Sequence, residues 1–196
     1  MSALPNLYLV RHGETEWAAL GRHTGRTDVP LTPRGEDAAR RLAGRLAGLS
    51  LARVWTSPAI RARRTCELAG FGDRAESEPD LWEWDYGQFE GLKSAEIRTR
   101  QPGWVVFRDG APGGESPTQV AARVDRMIAR IRAVDGDTLI FAHGHISRVI
   151  AARWIGLGPE VGQLLLLSTA AVCVLGYDHD QSEPAIRLWN DARHVE

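Results

Sequence analysis

The chain has 196 residues, 43% of them hydrophobic and 25% charged, the balance of a single soluble globular domain with a real core. Its net charge of −1 speaks against a general nucleic-acid binder, which would be basic overall, but leaves room for a small phosphorylated ligand, which needs only a local positive pocket. Cys66 and Cys173, the only two cysteines, lie far apart in apolar company and read as buried thiols in a reducing compartment.

The start, Met1-Ser-Ala-Leu-Pro, has no basic residue and no long apolar stretch after it, so no signal peptide is expected and the setting reads as cytoplasmic. Asn6–Val10 reads as a first strand. Arg11-His12-Gly13-Glu14-Thr15 follows it, with Gly13 expected to let the backbone turn sharply. Residues 13–31 form a loop rich in Gly, Thr and Asp. Thr32-Pro33 is an N-cap and first-turn pair that opens a helix to about Gly48, with Leu42, Leu46 and Leu49 on its apolar stripe. Ala52–Thr56 is a second strand. Ser57-Pro58 repeats the cap signal for a helix through about Leu68. Residues 73–91 are mixed, and 92–100 suggest a short helix.

Gln101–Gly114, with two Pro and four Gly, reads as a structured loop, part of a lid-like insertion over residues 82–116. Ser116-Pro117 is a third cap-and-proline start, for a long amphipathic helix to about Val134. Asp137–Ala142 is the cleanest buried strand. A helix over Ile146–Ile155 follows, then late strands at Ala170–Tyr177 and Ala185–Trp189. The longest uncharged stretch, Val161 to Tyr177, is slightly short for a bilayer span and reads as a helix end plus a buried strand. This alternation predicts an α/β layered fold in one domain, residues 1–196, with no membrane association.

Two strands end in histidine followed by glycine, at Val10-Arg11-His12-Gly13 and at Ala142-His143-Gly144-His145. Ligands in open α/β sheets bind beyond the carboxyl ends of strands, so parallel neighbours would bring His12 and His143 to one site. Arg61 begins a helix after a strand and belongs at the same edge. Arg11 and Arg61 together would clamp a phosphoryl group through forked hydrogen bonds, whereas Arg63 and Arg64 read as a solvated face.

With these blocks in view, the sequence resembles the histidine phosphatase superfamily, also called phosphoglycerate-mutase-like. The matching pieces are Arg11 to Thr15, Thr24 to Thr32, Ser57-Pro58 through Thr65, Glu83 to Gly91, Gly113 to Ser116, and His143-Gly144-His145 with Arg148. They occur in the family's order and cover most of residues 7–155. The resemblance implies a three-layer α/β/α sandwich with a mostly parallel central sheet. It implies His12 as a nucleophile that accepts the phosphoryl group, and this needs a neutral imidazole. The ordinary histidine pKa is about 6.5, and Arg11 and Arg61 nearby would lower it. It implies Arg11, Arg61 and His143 as stabilisers of the phosphoryl oxygens, and Glu83 as the acid that protonates the leaving alkoxide and then activates water. Thr24, Gly25 and Gly144 fall at substrate-touching positions. The role of His145 is left between orienting the site and facing solvent, His23 is left open, and His179 and His194 read as surface residues.

A metal site built from His12, His143, His145 and Glu83 is disfavoured. No His-Glu-x-x-His or paired-cysteine spacing is present, and two arginines at the same point would repel a divalent cation. No cofactor is expected.

The pattern departs from the mutases of the family. Trp17-Ala18 stands where they carry Trp-Asn, the chain is shorter, and the stretch between Gly91 and Ser116 is compact. Shielding decides whether phosphohistidine is returned to a sugar acid or lost to water. Net hydrolysis of small phosphate monoesters is therefore expected, as in the branch of small acid phosphatases and sugar bisphosphatases. Phosphoglycerate mutation is the alternative, and a non-catalytic scaffold a more distant one. Candidate walls for the rest of the substrate are Trp82, Trp84, Tyr86, Trp104, Phe107 and Arg108, with Trp82 and Phe107 leaning to the core. Arg108 is the residue expected to meet a second phosphate or carboxylate. Family members are often homodimers, and nothing in the sequence locates an interface.

Overall fold

The computed structural model describes residues 4–195, so Met1–Ala3, on which part of the reading of the chain start rests, lie outside the described residues. The strands are β1 (Leu7–Arg11), β2 (Leu51–Thr56), β3 (Glu76–Ser77), β4 (Asp137–Ala142), β5 (Val172–Tyr177) and β6 (Pro184–Asp191). The helices are α1 (Glu16–Ala19), α2 (Pro33–Arg45), α3 (Ile60–Leu68), α4 (Ser94–Arg100), α5 (Val106–Asp109), α6 (Pro117–Arg132) and α7 (Gly144–Trp154). The strands make one sheet in the order β3-β2-β4-β1-β5-β6. β1, β2, β3 and β4 pair in parallel, and β5 runs antiparallel to both β1 and β6.

Both sheet faces are covered, as the apolar runs of a parallel sheet require. Successive side chains of a strand point to opposite faces. Leu7 and Leu9 of β1, with Ile140 and Ala142 of β4, join a core that includes Val120, Val124 and Met127 of α6 and Val149 and Ile150 of α7. Val10 of β1, with Leu139 and Phe141 of β4, joins a second core with Leu42 and Leu46 from the α2 end and Cys66 of α3. The result is the expected three-layer sandwich with a mostly parallel sheet.

Two of the three cap signals work as read. Thr32 accepts a hydrogen bond from the Gly35 amide at 3.0 Å, with Pro33 in the first turn of α2. Ser116 and Gln119 form a reciprocal capping box on α6. Ser57-Pro58 does not cap a helix. α3 starts at Ile60 with Ala59 at the N-cap and no side-chain cap bond; the Ser57 hydroxyl, two residues earlier, accepts from the Ala59 amide at 3.3 Å and from the distant His143 ring at 2.7 Å.

The other differences are local. α2 stops at Arg45, before Gly48 in a left-handed conformation, φ +79°. α7 begins at Gly144, earlier than its apolar pattern suggests. The uncharged stretch from Val161 lies in a 3₁₀ segment, Pro159–Leu164, followed by extended chain, and β5 begins only after Ala170, whose φ is +56°. No helix among the described residues is long and apolar enough to cross a membrane.

Candidate active site

The register of β1 and β4 builds the centre of the site. Arg11 lies opposite Ala142 in the parallel pair, so the next residues, His12 and His143, leave the sheet side by side. Their ring centroids are 5.2 Å apart and both rings are buried. Gly13 has no left-handed φ, contrary to the expected sharp turn. Glycine is needed there for space: a Cβ would lie 2.4 Å from the Gly35 carbonyl oxygen at the start of α2. The Gly13 amide donates to Thr65 Oγ1 at 3.0 Å, which ties the loop to α3.

His12 is set up as a neutral base. Its Nδ1 lies 2.7 Å from the Gly13 carbonyl, which can only accept, so Nδ1 carries the proton and Nε2 the lone pair. Burial, then Arg61 and Arg11, push its pKa well below the ordinary histidine value. The two buried thiols are no rival nucleophiles, since burial pushes Cys66 and Cys173 up to about 12.

Arg61 and His143 sit differently from the expected phosphoryl clamp. Both are fully buried, and neither lines the cavity beside His12. The Arg61 Nε donates to His143 Nδ1 at 3.1 Å, and its terminal amino groups donate to the carbonyls of Thr24, Gly25 and Thr27 at 2.9–3.0 Å. A neutral His143 then carries its proton on Nε2 and donates to Ser57 Oγ at 2.7 Å. The Arg61 guanidinium thus ties the His143 ring to the Thr24–Thr27 turn, and both nitrogens of His143 are engaged by protein.

Glu83 accepts three backbone N–H bonds, from Trp84 at 3.0 Å, His145 at 2.9 Å and Ile146 at 2.8 Å, the last two in the first turn of α7. The loop that carries Glu83 is stapled by Arg123 of α6, which lies amid the apolar stripe of that helix. Its guanidinium donates to the carbonyls of Asp80, Trp82 and Glu83 and to both oxygens of Glu115. Residues 82–116, read as a lid, are thus tied to α6 and enclose α4 and α5.

A cavity of about 90 Å³ lies beside His12, lined also by Arg11, Arg22, Thr24, Glu83, Gly144 and Arg148. The Arg11 Nε is buried without a hydrogen-bond partner, and a Cβ on Gly144 would lie 3.3 Å from it. Burial lowers Arg148 to about 10, so it remains a cation. His145 is half-buried, hydrogen-bonded to the Tyr86 hydroxyl, and faces the cavity rather than bulk solvent. Of the other expected residues, Gly25 spends its amide on Glu90 at 2.8 Å, because the turn folds back over that carboxylate. Arg108 is exposed and held by Asp109 and the Gly103 carbonyl, away from the cavity. Trp84, Trp104 and Phe107 are buried in the core, while Trp82 is half-buried under the Arg26 guanidinium. Arg22, Ser57 and Arg123 were not legible as site residues; an arginine inside the α6 apolar stripe is the one available signal.

The chain resembles known proteins along most of its length. An acid phosphatase of Mycobacterium tuberculosis is 40% identical over 92% of this chain and 90% of its own length. A sedoheptulose 1,7-bisphosphatase of Saccharomyces cerevisiae is 36% identical over 81% of this chain and 70% of its own. A solved structure of a Mycobacterium tuberculosis open reading frame superposes with a TM-score of 0.90 at 37% identity, over 95% of this chain and 97% of that one. The model of the histidine phosphatase superfamily (branch 1) matches residues 7–192, and the chain belongs to that family.

Proposed function

We propose that the chain is a phosphoric monoester hydrolase acting on small phosphorylated molecules, with His12 as the nucleophile. The observation that carries the reading is the fixed tautomer of a buried, neutral His12 beside a cavity walled by Arg11, Arg22 and Arg148. Its Nε2 lone pair attacks phosphorus, the P–O ester bond breaks, and the electron pair leaves on the alkoxide. Glu83 gives that alkoxide a proton. Water then attacks the phosphohistidine, Glu83 takes up a proton from it, and phosphate departs from a neutral His12. Arg11 stabilises the phosphoryl oxygens as charge shifts. Arg61 and His143 act from behind, Arg61 as a fixed positive charge that keeps His12 neutral and His143 as the packed neighbour of its ring. Gly144 and Thr24 line the entry. The buried, free thiols Cys66 and Cys173 support a cytoplasmic setting.

Hydrolysis is favoured over phosphoryl transfer to a second substrate because the cavity adjoins a larger open chamber, described below, that admits water. In the test, His12→Asn is compared with the wild-type chain on p-nitrophenyl phosphate, with circular dichroism as the check on folding. Phosphate release should fall by about a thousandfold or more, and ester carrying a radiolabelled phosphoryl group should label the wild type alone after an alkaline quench, the label being lost on acid treatment as a phosphorus–nitrogen bond requires. Native-rate release by the folded variant would overturn the reading. So would 3-phosphoglycerate interconversion, with 2,3-bisphosphoglycerate present, that outruns phosphate release.

A further inference from the structure

A second cavity of about 390 Å³ adjoins the first. His23, His145 and Arg148 line both, so the two share one wall. The larger chamber is bounded on its far side by Arg98 of α4 and Trp104, and its walls include no carboxylate.

Its chemistry is specific. Arg148 stands at the junction, its Nε donating to the Gly162 carbonyl at 2.7 Å and its guanidinium lying over the Phe107 ring at 4.5 Å. Arg98 donates from Nε to the Trp104 carbonyl at 3.1 Å, a bond that uses one of its five N–H donors. His23 is hydrogen-bonded to Ser94 Oγ at 3.1 Å and offers a polar ring between the two cavities. A chamber with two guanidinium groups, two imidazoles, an aromatic wall and no acid selects an anion. Two cations match a dianion better than a single carboxylate. The volume exceeds what one phosphoryl group fills and suits the carbon chain between two phosphates.

We propose that this chamber receives the alcohol part of the substrate and that Arg98, with Arg148, recognises a second phosphate group on it, making sugar bisphosphates the preferred substrate class. The assignment rests on the phosphatase reading above and deepens it. It transfers to Arg98 the role that the sequence suggested for Arg108, whose guanidinium is turned to Asp109 instead.

The test compares kcat/KM for fructose 1,6-bisphosphate with that for fructose 1-phosphate and fructose 6-phosphate on each protein, and the readout is the ratio of bisphosphate to monophosphate. Arg98 is exposed on its helix, so Arg98→Ala is expected to fold. The wild-type chain should prefer the bisphosphate, and Arg98→Ala should cut that preference about tenfold, mostly through KM, because Arg98 lines the larger chamber and not the cavity beside His12. Arg98→Lys, which keeps the charge, should recover part of it. Wild-type turnover with an equal ratio in wild type and Arg98→Ala overturns the subsite and leaves the phosphatase reading intact. No phosphate release by the wild type from any of these esters or from p-nitrophenyl phosphate overturns both.

Discussion

A carbonyl one residue away holds the proton of His12 on Nδ1, and a glycine on another element makes room for that carbonyl's residue. The strand-ending Arg-His-Gly is legible in the sequence because its signal is local: a short apolar run, a cation, an imidazole and a glycine in succession. Gly35 carries no such signal, since a glycine in the first turn of a helix is unremarkable by pattern. Its reason is a close approach between two backbones. A Cβ at position 35 would lie 2.1 Å from the Glu14 carbonyl oxygen and 2.7 Å from the Glu14 amide nitrogen. Neither atom belongs to a flexible side chain, so α2 would have to back away from the loop that carries His12. Overpacking of this kind costs roughly 1–3 kcal/mol or more, against at most about 1 kcal/mol gained from the better helix propensity of alanine. Gly35→Ala should therefore lower the urea midpoint and depress p-nitrophenyl phosphate turnover together. An unchanged midpoint would show that the loop yields freely and that Gly13 and Gly35 are not a fitted pair.

Three cap-and-proline starts look alike as sequence, and only two of them cap helices. The difference lies in what else each serine or threonine meets. Ser116 finds its own Gln119 amide, a short-range bond that the sequence displays. Ser57 meets the Ala59 amide, just ahead of α3, and also the distant His143, which no local pattern reveals. The same limit hid Arg123. Its place between Val120 and Val124 marks it as buried, but its partners Asp80, Trp82, Glu83 and Glu115 lie on another segment. Burial pushes the Glu115 pKa up, yet the Arg123 guanidinium outweighs it and holds Glu115 below the usual carboxylate range. Breaking one side of such a pair leaves a charge stranded out of water, at a cost of about 3–5 kcal/mol, whereas replacing both sides costs much less. Arg123→Met should be strongly destabilising in urea, and Arg123→Met combined with Glu115→Gln should recover most of the loss. A double variant as unstable as Arg123→Met would locate the effect in the three carbonyl bonds instead. Either way the loop of Glu83 loses its anchor, so kcat should fall in both variants.

Over the whole molecule the charges nearly cancel, yet cations concentrate at one edge of the sheet, where Arg11, Arg22, Arg61 and Arg148 surround histidines that are kept neutral. That arrangement carries a stability consequence. Burial, with Arg61 and Arg11 nearby, depresses His12 and His143 well below the ordinary value, and burial with Arg98 lowers His23 to about 4. In the unfolded chain each would take up a proton near pH 6.5. Below that pH the unfolded state therefore binds more protons than the native one, so stability is level above about pH 7 and falls as the solution is acidified. His145, depressed by burial in the same way, adds to the effect. Each such histidine contributes up to about 1.4 kcal/mol per pH unit once the pH is well under 6.5, so even one of them is a sizeable part of the 5–15 kcal/mol typical of a domain. Asp191, held low by Arg193 and Arg45, works in the same direction but only near and below pH 4, so the two windows separate. Urea midpoints measured from pH 8 to pH 5 should be flat and then drop, and His23→Gln should reduce the slope of that drop by the share of one proton. A midpoint constant from pH 7.5 to pH 5 would mean that these rings are protonated in the native site, and the neutral-nucleophile mechanism would go with them.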